Sequence, residues 1–300
     1  VNEFEILIQK ASTSHSDGRL EDAVKYFRQA WNIRPEDELI PFNLGLTLHM
    51  LGRNEEARKA LEKAVSHHPD DAEAHHILGV VCTSLGDHAG ALPLLERAVD
   101  MAPHSKIYYA LGLCYWAVGR LGESETHFVQ ALDLDPNDAD AAMSLGAVQS
   151  RNGRYDEAIE NCERALTLNP NHADAHYNLG KFHQICKDYE LAIYHGQKAH
   201  ALRPNDPDAA STYFQHKQQA CDWDGIEQLA STIDLLVSAS LAASRPAGEH
   251  PFINISRTTD LARNYAVAKS RSQAINEHVK NQNLNGLRAT GHKSPLIVGS

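Results

Sequence analysis

Histidine and cysteine are the side chains in this sequence that could do chemistry, as metal ligands or nucleophiles. The chain has 18 histidines and 5 cysteines, with no H-E-x-x-H or C-x-x-C spacing. Histidines stand in adjacent pairs at His67–His68 and His75–His76, but neighbouring residues of a helix point about 100° apart and cannot easily share one ion. We predict no metal site, no disulfide framework and histidines that lie on the surface.

The sequence also shows no recognisable catalytic residues. We identify no nucleophile with an adjacent base, no acid–base pair and no phosphate-binding glycine loop. This segment alone is therefore expected to bind a ligand and not to catalyse a reaction.

Composition excludes two classes of partner. Asp and Glu number 39 against 28 Lys and Arg, a formal net charge of -11, whereas a protein that follows nucleic-acid phosphates needs clustered cations. No apolar run approaches the ~20 residues of a membrane-spanning helix. The scattered cysteines favour a reducing compartment, and the N-terminus shows neither an initiator Met nor a signal-peptide pattern. We expect a cytoplasmic protein cut from a longer chain, with no nucleic-acid or membrane partner.

A repeat indicates which elements position the side chains. Prolines recur at spacings of 34, 34, 33, 34 and 34 residues, at Pro35, Pro69, Pro103, Pro136, Pro170 and Pro204. Alanine stands five residues before every proline, and alanine or serine stands twelve before. Glycine stands twenty-four before in all units but the first, where Ala11 takes its place. Such small residues are required where two helix backbones approach closely.

This pattern resembles the tetratricopeptide (TPR) repeat, a pair of antiparallel helices with a 34-residue period. The resemblance covers residues 4–206 and implies an all-α, right-handed TPR superhelix of about six repeats that end near the six prolines. The first unit has Lys10 and Ala11 where the others have Leu-Gly, so it is either a cap or the end of a longer array. The 33-residue spacing predicts a deletion in the turn between Pro103 and Gly112.

The resemblance also places a groove along the first helices of the units, which line the concave face of TPR arrays. Rings provide contact area at low entropy cost, and amides or imidazoles can hydrogen-bond a peptide backbone. An alternative for each ring is packing against the neighbouring repeat. We predict that proteins or peptides bind along a groove lined by Phe42, Asn43, His49, His76, Tyr109, Trp116, Met143, Tyr177, Asn178 and Gln184.

Residues 207–290 are predicted to form a helical linker with helices at Asp208–Ala220, Asp224–Ala243 and Thr258–Gln282, because the 34-residue pattern stops near residue 208. Two marks stand out in this segment, Cys221-Asp222-Trp223 and His250-Pro251-Phe252. In this order after a TPR array, they resemble the region that joins the repeats to the catalytic half in the O-GlcNAc transferase and SPINDLY-like family.

That second resemblance implies that residues 291–300, which include Leu296, Ile297 and Val298, begin the first strand of a truncated α/β catalytic domain of GT-B-like type. It implies a position for His250 at the edge of the active site, although His250 could instead orient its loop. Trp223 would anchor the linker helices on the last repeat. The asparagine ladder of such transferases is incomplete here, because Ile77, Ala110 and Ser144 stand between Asn43 and Asn178.

Two functions follow. The resemblance implies the substrate-recognition half of an intracellular glycosyltransferase, which would transfer sugar from UDP-GlcNAc or GDP-fucose to Ser or Thr of proteins held in the groove. The alternative is a non-enzymatic TPR scaffold that mediates protein–protein interactions. A homodimer formed through the convex face is compatible with both functions.

Overall fold

A computed structural model describes residues 2–247 and 261–281, and the described part is entirely helical. Fifteen helices follow one another there, and consecutive helices pack as antiparallel pairs. They are α1 Glu3–Ser16, α2 Leu20–Ile33, α3 Ile40–Met50, α4 Asn54–His67, α5 Ala72–Ser84, α6 His88–Met101, α7 Ser105–Ala117, α8 Leu121–Leu134, α9 Ala139–Arg151, α10 Tyr155–Leu168, α11 Ala173–Ile185, α12 Tyr189–Leu202, α13 Pro207–Gln219, α14 Ile226–Ala242 and α15 Leu261–Asn281.

The predicted small residues lie where the two helices of a unit approach most closely. Ala23, Ala30 and Ala57 are completely buried, and the glycine column allows even closer contact. A Cβ atom added at Gly45 would lie 2.6 Å from Leu61 Cγ, a distance that real Cβ atoms do not show. The leucines before the glycines are also buried, at Leu44, Leu78, Leu111, Leu145 and Leu179.

The deletion between the third and fourth units lies in the turn, as the spacing predicts. Asp71 and Asp138 each cap a first helix two residues after the proline of the preceding unit. His104 takes that role one residue after Pro103, and its side chain accepts from the backbone N–H of Lys106. The helices on either side keep their lengths, so the lost residue shortens the connection alone.

A regular turn joins the two helices of each unit. The residue after the C-cap of the first helix has a left-handed backbone. It is glycine in the first five units, from Gly18 to Gly153. Lys187 has φ 64° at this position in the sixth unit, and Cys221 has φ 55° thirty-four residues later. The amide of Asp222 donates to the carbonyl of Lys217 at 2.9 Å, the bond that closes a helix end of this type.

The helices α13 and α14 therefore extend the array as a seventh pair, although the sequence pattern stops near residue 208. The helix α13 packs on α11 and α12, as the first helix of a further unit would. Large side chains replace the small residues here. Phe214 stands at the position that glycine occupies in the second to sixth units, and it is buried with Ile233 and Val237. The use of residues 207–290 as a linker to another domain stays a prediction.

One prediction for this segment is corrected. The three helices lie within three residues of their predicted bounds where the structure describes them, but Trp223 does not anchor them. Its side chain is 61% exposed, because it follows the left-handed turn and precedes α14. The helix α15 instead docks through buried Val267 and through Arg271, whose guanidinium lies 2.6 Å from the Asp208 carboxylate. The predicted strand in residues 291–300 lies outside the described residues.

Candidate ligand-binding groove

Successive first helices are joined side by side through pairs of residues that lie 35 positions apart. Asn178 Nδ2 donates to Met143 Sδ at 3.2 Å, and Gln184 Nε2 donates to Gln219 Oε1 at 2.7 Å. These contacts link α9 to α11 and α11 to α13. They define one face, here called the groove face, that runs along the first helices.

Aromatic side chains form the same kind of bridge. The Arg151 guanidinium lies 5.0 Å from the centre of the Trp116 ring, within the range of a cation–π contact. Tyr109 lies beside Ser144 of the next first helix, and Tyr177 lies beside a threonine of α13. Burial raises the pKa of both phenols, so both stay protonated and can donate a hydrogen bond.

The ten predicted groove residues all lie on first helices, and nine are half-buried while Asn43 is exposed. Several are already engaged with the protein. Asn43 Nδ2 donates to the carbonyl of Leu39, the residue that precedes α3, at 3.0 Å, and His49 Nδ1 lies 2.9 Å from Asn54 Oδ1. The rings and amides therefore pack on neighbouring units and still keep part of their surface open. Their part in ligand binding stays a prediction.

Sequence reasoning missed a third row of groove-face residues. The predicted residues form a first row 27 residues before the prolines, as Phe42 does, and a second row 20 residues before them, as His49 does. The third row lies between these two. It stands 23 residues before the prolines, four residues after the first row and three before the second. The exposed or half-buried members are Leu46, Val80, Leu113, Ala147 and Lys181. The helical period of 3.6 residues could have revealed it, because residues three and four apart share a helix face.

A cavity of about 440 Å³ opens at the junction between the third and fourth units. It lies between the starts of α5 and α7, and His76 is the predicted groove residue that lines it. Burial, followed by the charges of His104 and Lys106, lowers the pKa of His76 to about 4. The imidazole of His76 is therefore neutral near pH 7, with one donor and one acceptor nitrogen.

The expectation of surface histidines is wrong for a group near the C-terminal end of the array. His176, His183, His195 and His216 are all buried. His176 Nε2 lies 3.2 Å from the Pro170 carbonyl, which can only accept, so the neutral ring carries its proton there. His195 must then donate from Nδ1 to His176 Nδ1, at 2.9 Å.

His216 is buried for a reason that lies in another helix. Phe27, Leu61, Leu95, Phe128 and Cys162 occupy one column of the second helices, and Gly196 follows in the sixth unit. The ring of His216 fills the space that a side chain at Gly196 would take, because a Cβ added there would lie 2.8 Å from His216 Cδ2. Neither nitrogen of His216 has a hydrogen-bond partner in the described part of the chain.

Among the described residues, no group of three or more His, Cys, Asp or Glu side chains is arranged to hold a metal ion. The five cysteines are free thiols. His250, predicted at an active-site edge, lies outside the described residues. No helix of residues 2–247 and 261–281 is both long and apolar enough to cross a membrane.

The fold and its groove define a helical-repeat superhelix, the architecture of proteins that stack helix pairs. Tetratricopeptide repeat models match residues 4–37, 42–106, 105–138, 127–160 and 151–184. Together they span more than half of the chain, which therefore belongs to the tetratricopeptide repeat proteins. No curated protein matches it.

Solved structures show the same fold. A tetratricopeptide repeat protein from Parabacteroides merdae ATCC 43184 matches with TM-score 0.65 and 15% identity, over 89% of this chain and 98% of that chain. The type IV pilus biogenesis factor PilW matches with TM-score 0.61 and 19% identity, over 68% and 96%. MamA 41-end from Desulfovibrio magneticus RS-1 matches with TM-score 0.54 and 24% identity, over 57% and 98%. At these identities the likeness concerns the fold alone.

Proposed function

We propose that this chain is a protein-interaction module that binds a peptide segment of another protein along its groove face. The partly exposed apolar residues of the third row carry the proposal. Leu46, Val80 and Leu113 lie in line between two rows of rings and amides that are only half-buried. An apolar strip flanked by hydrogen-bonding groups suits an extended peptide, whose side chains need apolar contact while its backbone needs polar partners.

Selection of peptides on the intact chain tests this proposal. Peptides from a random displayed library are selected on the wild-type protein, and their affinities are then measured for two variants. Leu113→Arg changes a groove position that is 37% exposed, and Val129→Arg changes a position of the second helix in the same unit that is 41% exposed. We expect Leu113→Arg to weaken binding at least about tenfold, because a buried contact is replaced by a charge, and Val129→Arg to leave it unchanged.

Circular dichroism at matched concentrations establishes that both variants fold. Binding that survives Leu113→Arg, or that is lost equally in Val129→Arg, contradicts the groove proposal. Retention of affinity by the second variant also excludes a general loss of stability as the cause.

The non-enzymatic scaffold is the better supported form of this function. Cys221 and Asp222, two of the marks that resemble the glycosyltransferase family, have a structural role in the seventh turn that needs no enzyme. The proposal that this module serves a sugar transferase rests on the sequence resemblance, and the donors UDP-GlcNAc and GDP-fucose belong to that proposal alone. Sugar transfer to lysate proteins by a longer form of the chain would test it directly.

A further inference from the structure

A second cavity lies between the C-terminal end of α14 and the middle of α15. Its volume is about 330 Å³, within the usual range for small-ligand pockets. The described residues that line it belong to α14, to the turn that follows α14 and to α15, and none of them belongs to a first helix of the array. The cavity is therefore separate from the groove face.

A fixed turn holds the two sides of this cavity together. Ser244 has a left-handed backbone with φ 53°, and the amide of Arg245 donates to the carbonyl of Ser240 at 2.8 Å. The amide of Ala247, a completely buried residue, donates to Ser270 Oγ of α15 at 3.1 Å. These contacts close the end of α14 and attach the turn to α15, so the protein's own bonds set the shape of the cavity.

The polar groups of the cavity suit an anion. Arg245 stands on the α14 side and Lys269 on the α15 side. Ser244 and Gln273 add a hydroxyl and an amide that can donate hydrogen bonds. Among the described residues that line the cavity, none is acidic. A negatively charged group would therefore meet donors from both sides and no repelling carboxylate.

The local charge has the same sign. Residues 235–276 contain five Lys and Arg against two Asp and Glu, whereas the whole chain has 28 against 39. Arg271 is already held by Asp208, but neither Arg245 nor Lys269 forms an ion pair within the described part of the chain. The two cations thus remain available to a ligand.

Apolar side chains form the rest of the wall, from Leu241, Pro246, Ala266 and Ala274. A phosphate monoester on a small aliphatic body suits both parts of the cavity. Its three terminal oxygens can meet a guanidinium, an ammonium and a hydroxyl together. Its charge at neutral pH, close to two, also matches the two cations.

We propose that this cavity binds the phosphate group of a small phosphorylated molecule. Arg245 and Lys269 hold the phosphate from the two sides, Ser244 and Gln273 donate to its remaining oxygens, and the aliphatic body lies on the apolar wall. The bound phosphate joins the turn after α14 to α15. This site and the proposed peptide groove share no residue, so failure of one leaves the other standing.

NMR titration of the full chain with three probes tests the inference. Monobutyl phosphate carries the phosphate on an aliphatic stem, monobutyl sulfate has the same stem with a single charge, and butanol has no charge. We expect the phosphate to shift the amide signals of residues 244–247 and 266–274. The sulfate should bind at least about threefold more weakly because it lacks the second charge, and butanol should not bind.

The pH dependence identifies the doubly charged phosphate as the bound form. Its second pKa lies near 6, so lowering the pH from about 7.5 to about 5 should weaken monobutyl phosphate at least about threefold. The affinity for monobutyl sulfate, whose charge is constant, should stay the same. Equal affinities for phosphate and sulfate at pH 7.5, or no binding of either, would overturn the site.

Charge variants locate the phosphate. Arg245→Gln and Lys269→Gln should each weaken monobutyl phosphate about threefold to fivefold, as expected for exposed charge contacts. Lys25→Gln removes an exposed cation of α2, at the other end of the array, and should leave the affinity unchanged. An equal effect of all three substitutions would show that net charge alone attracts the probe, and would contradict the cavity.

Gln273→Lys excludes a loss of α15 docking as the cause of weaker binding. It adds a cation at an exposed position of the cavity and should tighten monobutyl phosphate about threefold. An unchanged or weaker affinity in this variant would overturn the assignment. A phosphoserine peptide that displaces the probe and binds more tightly would overturn the choice of a small molecule and indicate a modified protein as the ligand.

Discussion

The ring of Phe128 lies against the backbone of Gly112, so close that a Cβ atom at Gly112 would be 2.5 Å from Phe128 Cε1. This contact joins the first and second helices of the fourth unit. It is the same contact that Gly45 makes with Leu61 two units earlier. The glycine column is thus a packing requirement that the repeat imposes on each unit.

Gly112→Ala is therefore expected to lower the free energy of unfolding by about 1–3 kcal/mol, because the added methyl overpacks the helix interface. Gly122→Ala in α8 is the matched control, since nothing lies within 4 Å of its added Cβ. That substitution should raise stability by roughly 0.5 kcal/mol through a lower entropy of the unfolded chain. Urea denaturation measures both, and a neutral Gly112→Ala would contradict the close contact.

At two of the left-handed turn positions the residue is not glycine, and replacing it by glycine should raise the free energy of unfolding. Lys187→Gly and Cys221→Gly should each stabilise the chain by about 1 kcal/mol, because a side chain with φ near 60° is strained and glycine is not. Lys198→Gly, within α12, should destabilise by a similar amount. Thermal unfolding compares the three variants. A loss of stability in Cys221→Gly would argue against the seventh turn.

Stability should fall as the pH is lowered from about 6.5 to about 4. Burial holds the pKa of His216 at about 4, below its ordinary 6.5. The unfolded chain therefore binds a proton in this window that the folded chain does not, and His216 contributes a loss of at most about 3 kcal/mol. This loss of stability is absent above about pH 6.5 and complete below about pH 4. His195, whose pKa is also lowered to about 4, acts in the same direction.

His216→Leu should flatten this pH dependence, measured by urea denaturation across the window. Phe214→Leu is the control, because it alters a buried side chain of the same helix that does not titrate. It should lower stability by a similar amount at every pH. An unchanged slope in His216→Leu would show that the ring takes its proton at an ordinary pKa in the folded chain.

The docking of α15 predicts a coupling between Asp208 and Arg271. Their side chains are 47% and 29% exposed and lie 2.6 Å apart. A double-mutant cycle with both alanine variants should give a coupling energy of about 0.5–1 kcal/mol, the range for partly exposed ion pairs. Combining Arg271→Ala with Asp140→Ala, which lies two units away, should give additive effects. Additivity in the first cycle as well would indicate that α15 is not docked through this pair.

The sequence predicted the helix pairs, the close contacts and the shortened turn because each rests on local spacing. A further helix pair follows the six predicted repeats, and the spacing of small residues did not reveal it, because those residues stop near 208 while the turn at Cys221 persists. A left-handed backbone was not expected at a cysteine. The burial of His216 could not be predicted for another reason. The sequence shows that Gly196 lacks a side chain where the other units carry one, but the side chain that fills this space depends on how α13 packs.

The filling of Gly196 by His216 means that the sixth helix pair is not self-sufficient. Its internal space is closed by a ring from the next pair, whereas Phe128 closes the fourth from within. The packing of the sixth pair therefore continues past Pro204, where the sequence repeat ends. A fragment cut there would keep every residue of the sixth repeat and still lack part of its core. A fragment that keeps the core of the sixth pair closed must therefore extend at least through His216 in α13, one helix beyond the point where the sequence repeat ends.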